Sequence, residues 1–209
     1  MKPTAIVLCG GKERRFGRSK AQALVGDRTV MDRILSVLEL VSGEIIAVTA
    51  PDKPDVPVGG RAKIVTDLFP GGGPLGGIYS GLLHAASPLA VVVACDMPFL
   101  SGALLIRMLG MADGFDAVVP RVGRTMVEPL HAVYAKSCLA EMGERLNSGH
   151  LSIALFLERI HVRYMSKEEY LPLDPRMLSF FNINYPEDFE RANRIASEID
   201  FSPRPRQSR

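Results

Sequence analysis

No apolar run in this sequence is long enough to cross a bilayer: the longest covers only residues 89–95, against the roughly 20 residues that a transmembrane helix needs. The start is equally short of apolar length. Met1-Lys2-Pro3 precedes one brief run, Ala5 to Cys9, too little for the core of a secretory signal. Neither export nor membrane insertion is expected, and the expected compartment is the cytoplasm. The three cysteines, Cys9, Cys95 and Cys138, are odd in number and lack the paired spacing of zinc ligands, which argues for reduced thiols rather than a disulfide framework or a zinc site. An excess of either charge is lacking too. With 25 Lys and Arg against 23 Asp and Glu the net charge is +2, too small for general nucleic-acid binding. No internal repeat is visible. What remains is a chain of 209 residues, 47% hydrophobic and 23% charged, sufficient for a sizeable core and best read as one α/β domain over residues 1–201. Residues 202–209, made of Pro, Arg, Ser and Gln, have nothing to bury and read as a frayed tail.

The positive charge that is present is concentrated. Residues 8–20, Leu-Cys-Gly-Gly-Lys-Glu-Arg-Arg-Phe-Gly-Arg-Ser-Lys, follow the apolar run Ala5 to Cys9 and gather Gly10, Gly11 and Gly17 with Lys12, Arg14, Arg15, Arg18 and Lys20. Glycine lets the backbone turn sharply and present its N–H groups to a ligand without a Cβ in the way. This is the composition of an anion-binding loop, and a polyphosphate is its natural ligand. It is not the dinucleotide fingerprint G-x-G-x-x-G, because two of its glycines are adjacent. It is not a P-loop either, because Lys20 follows Ser19 rather than Gly and precedes Ala21. The competing reading is an ordinary basic strand-to-helix turn.

Apolar strand-like runs alternate with helical periodicity along the chain, which argues for a mostly parallel sheet. Strands are expected at Ala5–Cys9, Ile45–Thr49, Lys63–Val65, Leu89–Ala94, Asp116–Pro120, Pro129–Tyr134 and His161–Met165. Helices are expected after Thr29 and Ser101 as N-caps, at Pro74–Ala86, near Lys136–Leu146 and Ser152–Leu157, and from Pro186 to about Ile199. In a doubly wound sheet ligands bind beyond the carboxyl ends of the strands. The glycine loop, Thr49, Asp67 and Asp96 then converge on one rim. Asp96 directly follows the most apolar strand, where a carboxylate must be paired, hydrogen-bonded or metal-bound. A hard oxygen ligand there suits Mg²⁺. The alternative is a cap for the turn that Pro98 and Ser101 announce.

Leu8 to Lys20, Gly73-Pro74-Leu75-Gly76-Gly77, Cys95-Asp96-Met97-Pro98 and Asn182-Ile183-Asn184-Tyr185-Pro186-Glu187-Asp188 together resemble, in order, the signatures of the MobA-like nucleotidyltransferases. The resemblance covers nearly the whole chain. It implies a three-layer α/β/α fold with a mostly parallel, Rossmann-like sheet of the nucleotide-diphospho-sugar transferase type, nucleotide-binding over about 1–100 and acceptor-binding over about 101–201. It implies Mg²⁺-dependent transfer of GMP from GTP to the phosphate of molybdopterin, with release of pyrophosphate. Lys20, Arg15 and Asp96 would be catalytic, and Asp96 would hold the metal. Leu8, Cys9, Gly10, Gly11, Arg14, Lys20, Thr49, Asp67, Leu75, Gly76 and Asp96 would bind the nucleotide. Asp67 would accept from the guanine N1–H and exocyclic amine, with a simple turn role before Pro70 as the alternative, and Leu75 to Gly77 would offer backbone groups and an apolar surface near the purine. Glu128, Asn182 and Asn184 fall on acceptor-side elements, with Arg121, Arg124 and Lys136 as cations for an anionic pterin. The implied partners are GTP and molybdopterin, with transient contacts to other molybdenum cofactor proteins, and neither nucleic acid nor membrane.

The chain departs from the family pattern at Ser19, where an Asp usually precedes the lysine, at Thr49, which replaces an amide side chain, and at Gly149-His150, where a basic residue usually follows the glycine. Two alternatives therefore stay open. One is a cytidylyl or a sugar- or polyol-phosphate nucleotidyltransferase of the same fold; the other is a non-catalytic nucleotide-binding protein. His131 and His150 are assigned no catalytic role.

Overall fold

A computed structural model describes residues 2–10, 20–52 and 56–200. Its strands form where apolar residues run without interruption, because a strand covered on both faces has no polar side to show. In chain order the described elements are β1 (Thr4–Leu8), β2 (Leu24–Val25), β3 (Arg28–Thr29), α1 (Val30–Val41), β4 (Glu44–Thr49), β5 (Lys63–Thr66), α2 (Gly73–His84), β6 (Leu89–Ala94), α3 (Gly102–Leu109), β7 (Ala117–Pro120), β8 (His131–Ala135), α4 (Leu139–Asn147), α5 (Ile153–Leu157), β9 (Val162–Met165), α6 (Lys167–Tyr170) and α7 (Pro186–Asp200). The main sheet has the order β5-β4-β1-β6-β8-β7-β9. β1 runs parallel to β4 and β6, β4 to β5, and β7 to β9, while β8 alone is reversed against both neighbours.

Alternation along each strand divides the core into two layers. Ala5 and Val7 of β1, with Val91 and Val93 of β6, face α1, α3 and α7. Ile6 and Leu8, with Val92, face α2, α4 and α5. The result is the expected α/β/α sandwich. α2 approaches β1 closely because Gly81 has no side chain: a Cβ there would lie 2.6 Å from Cγ2 of Ile6. The caps form as expected. Thr29 Oγ1 accepts the Asp32 N–H at 3.0 Å and Ser101 Oγ accepts the Leu104 N–H at 3.2 Å.

Four features had no counterpart among those expected from the sequence, one of them a 3-10 turn at Lys20–Gln22. The hairpin β2–β3 turns on Gly26, whose φ is +65°. The short α6 carries a capping box between Ser166 and Glu169. A 3-10 turn covers Leu178–Phe180. The helix expected near Lys136 starts as a 3-10 turn, Lys136–Cys138, before α4. α7 docks back on the hairpin, with the Gly26 N–H donating to Asn193 Oδ1 at 2.8 Å and the buried Arg33 paired with Asp200 at 2.5 Å. Cys9 and Cys138 are buried and Cys95 is half-buried. Burial, with the charge of Asp116 adding to it, pushes the Cys138 thiol up to about 12. Among the described residues no helix is long and apolar enough to cross a membrane. The expected tail 202–209 lies outside the described residues.

Candidate active site

At the carboxyl rim the strand ends are laced together by backbone hydrogen bonds that continue past the strands themselves. Asp67 N–H donates to Thr49 O at 2.8 Å, Cys9 N–H to Val48 O at 2.7 Å, Cys95 N–H to Leu8 O at 3.1 Å, and Ile183 N–H to Asp96 O at 3.0 Å. The last bond draws the segment before α7 onto the end of β6. The reversed β8 begins at the same rim, so the turn before it brings Glu128 to Asp96. A cavity of about 560 Å³ opens here, within the usual range for small-molecule sites. At one end it is lined by Gly10, Thr49 and Asp67, in the middle by Asp96 and Met97, and at the other end by Glu128, Asn182 and Asn184.

The carboxylates of this cavity are not equivalent. Glu128 is held above the usual carboxyl range chiefly by burial, with the negative charge of Asp96 adding to it, against the Leu130 N–H that it accepts at 3.3 Å. Asp67 is fixed through one oxygen. Its Oδ1 accepts the Phe69 N–H at 3.0 Å and the Ser80 hydroxyl at 2.9 Å. Asn182 contributes a buried Oδ1 with no hydrogen-bond partner among the described residues. A buried carbonyl oxygen left so is costly and calls for a ligand donor or a cation.

The MobA-like NTP transferase domain matches residues 5–161. The chain belongs to this family. A probable molybdenum cofactor guanylyltransferase of Pelotomaculum thermopropionicum is 36% identical over 196 residues, 94% of each chain. The molybdenum cofactor guanylyltransferase of Desulfosudis oleivorans is 37% identical over 191 residues, 90% of this chain and 93% of that one. Among solved structures, molybdopterin-guanine dinucleotide biosynthesis protein A of Archaeoglobus fulgidus superposes with a TM-score of 0.81 at 32% identity, covering 93% of this chain and 99% of that one. A 2-C-methyl-D-erythritol 4-phosphate cytidylyltransferase of Thermus thermophilus, at TM-score 0.70 and 20% identity over 94% of this chain and all of that one, shows the shared fold alone.

This MobA-like transferase is thus a nucleotidyltransferase, and its rim gathers most of the expected site residues. Leu8, Gly10, Thr49, Asp67, Asp96, Glu128, Asn182 and Asn184 all line the one cavity. Cys9 is buried behind it. Gly11, Arg14 and Arg15 lie outside the described residues. Lys20 opens a 3-10 turn, Lys20–Gln22, and its side chain too is outside what is described. Leu75 and Gly76 are corrections. Leu75 is fully buried in the core under the sheet and offers no surface to a purine. Gly76 is buried against Phe69 and Asp67. Gly73, Pro74 and Gly77 line the cavity instead, because the helical period turns these three to the rim and Leu75 to the core.

Lys136 is a further correction. It follows the far end of β8, where its N–H donates to Pro88 O at 2.8 Å, at the opposite edge of the sheet from the rim. Arg121 is at the rim side, its guanidinium stacked 4.9 Å over the Tyr164 ring. His131 does not line the cavity. It is fully buried, edge-on to Phe180 at 5.2 Å, and neither ring nitrogen has a partner. Burial drives its pKa down to about 4.

Sequence reasoning missed Met97, Leu130 and Ser80. The first two sit beside motif residues and were legible by adjacency. Ser80, a small polar residue inside a helix, gave no signal.

Proposed function

We propose that this transferase moves GMP from GTP to the phosphate of molybdopterin with release of pyrophosphate. The observation that carries the reading is the single cavity with Asp96 at its middle, joining the nucleotide end at Gly10, Thr49 and Asp67 to the acceptor end at Glu128, Asn182 and Asn184. The relatives named as molybdenum cofactor guanylyltransferases support the choice of substrates. In this reading residues 1–201 are one domain whose first half binds the nucleotide and whose second half binds the acceptor, and the protein works in the cytoplasm.

The donors that line the cavity at Asp96 and towards its acceptor end fit a magnesium ion. Asp96, Glu128 and the orphaned Asn182 Oδ1 are all oxygens, the set preferred by a hard cation that shares its shell with water and substrate phosphates. Among the described residues no three His, Cys, Asp or Glu side chains cluster for metal binding, so the substrate phosphates must complete the shell. When bound there, Mg²⁺ supplies charge neutralisation at the reacting phosphates. The chain's own task is positioning. The acceptor phosphate is set in line with the α-phosphorus, and Lys20, Arg14 and Arg15 offset the charge on the triphosphate. A cation about 4 Å from a phosphate charge contributes around 4 kcal/mol at an effective dielectric of roughly 20, before desolvation is subtracted, so two or three such contacts matter to the rate. At the nucleotide end Asp67 reads the guanine.

The test is pyrophosphate release from GTP, CTP and ATP, with and without molybdopterin and with Mg²⁺ present or chelated. Release confined to GTP, molybdopterin and Mg²⁺ together is expected. Preference for CTP, or nucleotide binding with no release, overturns the reading.

A further inference from the structure

Ser80 is wholly buried on α2, yet it is bonded outward to the loop that follows β5. Its Oγ accepts the Leu68 N–H at 2.9 Å. Its one hydrogen faces two acceptors, Asp67 Oδ1 at 2.9 Å and the Gly76 carbonyl at 2.8 Å. A serine inside a helix ordinarily returns its proton to the carbonyl four residues back; here the same hydroxyl also reaches across to a cavity carboxylate. The approach depends on Gly76, where a Cβ would come 3.3 Å from Asp67 Oδ1 and 3.1 Å from the Phe69 carbonyl.

With the Phe69 N–H also on Oδ1, the hydrogen bonds that Asp67 accepts on its side chain from described residues all fall on this oxygen, and Asp67 lines the cavity. A carboxylate turns easily about its last torsion, which is broad and two-fold. The Phe69 N–H, joined by the Ser80 hydroxyl when its hydrogen turns from the Gly76 carbonyl to Oδ1, holds it in place. One oxygen is engaged by the loop and by Ser80, and the other accepts no hydrogen bond from the described residues.

We infer that Ser80 is a positioning residue for base selection: through Oδ1 it fixes Asp67 so that Oδ2 alone meets the nucleobase. This rests on the reading of Asp67 as the guanine contact. The experiment measures kcat and KM for GTP and ATP in wild type, Ser80→Ala, Asp67→Asn and the double variant. Asp67→Asn cuts the preference for GTP by about 10- to 100-fold, the worth of a charge-assisted hydrogen bond. Ser80→Ala cuts it by about 3- to 10-fold, because the Phe69 N–H still holds Oδ1; the change falls on KM for GTP and adds nothing to Asp67→Asn.

Equal losses for both nucleotides, or additive effects in the double variant, overturn the inference and leave Ser80 a packing residue. An unchanged preference in Asp67→Asn instead removes Asp67 from base reading, a separate failure visible in that variant alone. Should Ser80→Ala not fold, Ser80→Thr, which keeps the hydroxyl, is expected to retain the preference for GTP, and a loss matching Asp67→Asn overturns the inference.

Discussion

Asp96 follows a strand in which Ala90 to Val93 are wholly buried, and it lines the cavity. Replacing it by Asn keeps the shape and removes the charge. Asp96→Asn is expected to abolish Mg²⁺-dependent transfer while circular dichroism and the unfolding midpoint stay near wild type; near-normal turnover at saturating Mg²⁺ would reduce Asp96 to a cap. Lys20→Ala is expected to lower kcat by on the order of 10², the scale of about 3 kcal/mol of transition-state charge stabilisation. A change confined to KM would make its contribution uniform binding. At this scale the sequence was readable where chemistry demands rare combinations. An Asp directly after the run Leu89 to Cys95 must find a cation or a donor, and Asp96 lines the cavity; the glycine pair among cations runs into residues outside those described. Ser80 was not readable, because its partners Asp67 and Leu68 become neighbours only when α2 lies down beside β5. The side chain of Leu75 was misassigned because a motif names residues without saying which way the helix turns them.

The elements were legible from period and caps, as at α1 with Thr29 and α3 with Ser101, and β6 runs from Leu89 to Ala94 as expected. The hairpin β2–β3 escaped because strands of two residues have no period to read. The reversal of β8 escaped because direction is set by the turn through Arg121 and Val127, which pair as an isolated antiparallel bridge, and not by the strand's own apolar pattern. Contact between elements is illegible in the same way. Gly81 looks like a weakness in α2, where Ala would gain about 1 kcal/mol of helix propensity. The position over Ile6 reverses the sign. A Cβ at 2.6, 2.9 and 3.1 Å from three Ile6 atoms must push α2 off β1, and such overpacking costs about 1–3 kcal/mol. Gly81→Ala is therefore expected to be net destabilising by up to about 2 kcal/mol in urea unfolding, and to weaken GTP binding because β1 carries the glycine loop. A variant more stable than wild type would show that propensity outweighs the contact.

At the scale of the whole molecule one acid-sensitive group lies away from the cavity. His131 joins the reversed strand to the segment that carries Asn182, with its ring against Phe180 and no partner on either nitrogen. Burial holds its pKa down to about 4, with the negative charge of Asp174 pulling the other way. In the unfolded chain the imidazole takes a proton near pH 6.5. The sign follows from linkage. Between about pH 6.5 and about 4 the unfolded chain binds a proton that the fold refuses, so this contribution is present above 6.5 and is lost as pH falls, by about 3 kcal/mol across the window. Glu128 works oppositely, since burial raises its pKa and its contribution is lost as pH rises above its ordinary value. Asp116, lowered chiefly by the Ser137 hydroxyl, gives up its share only below its ordinary value, under the imidazole's range. The histidine is isolated by difference. His131→Leu keeps an apolar side chain against Phe180 and removes both orphaned nitrogens. Urea midpoints of the variant are expected to exceed those of wild type by a margin that grows between about pH 7 and about pH 4.5, while GTP affinity at neutral pH is unchanged because His131 does not line the cavity. A margin that stays constant with pH would mean that His131 is solvated or paired in solution, and would move the acid sensitivity of the fold to its carboxylates.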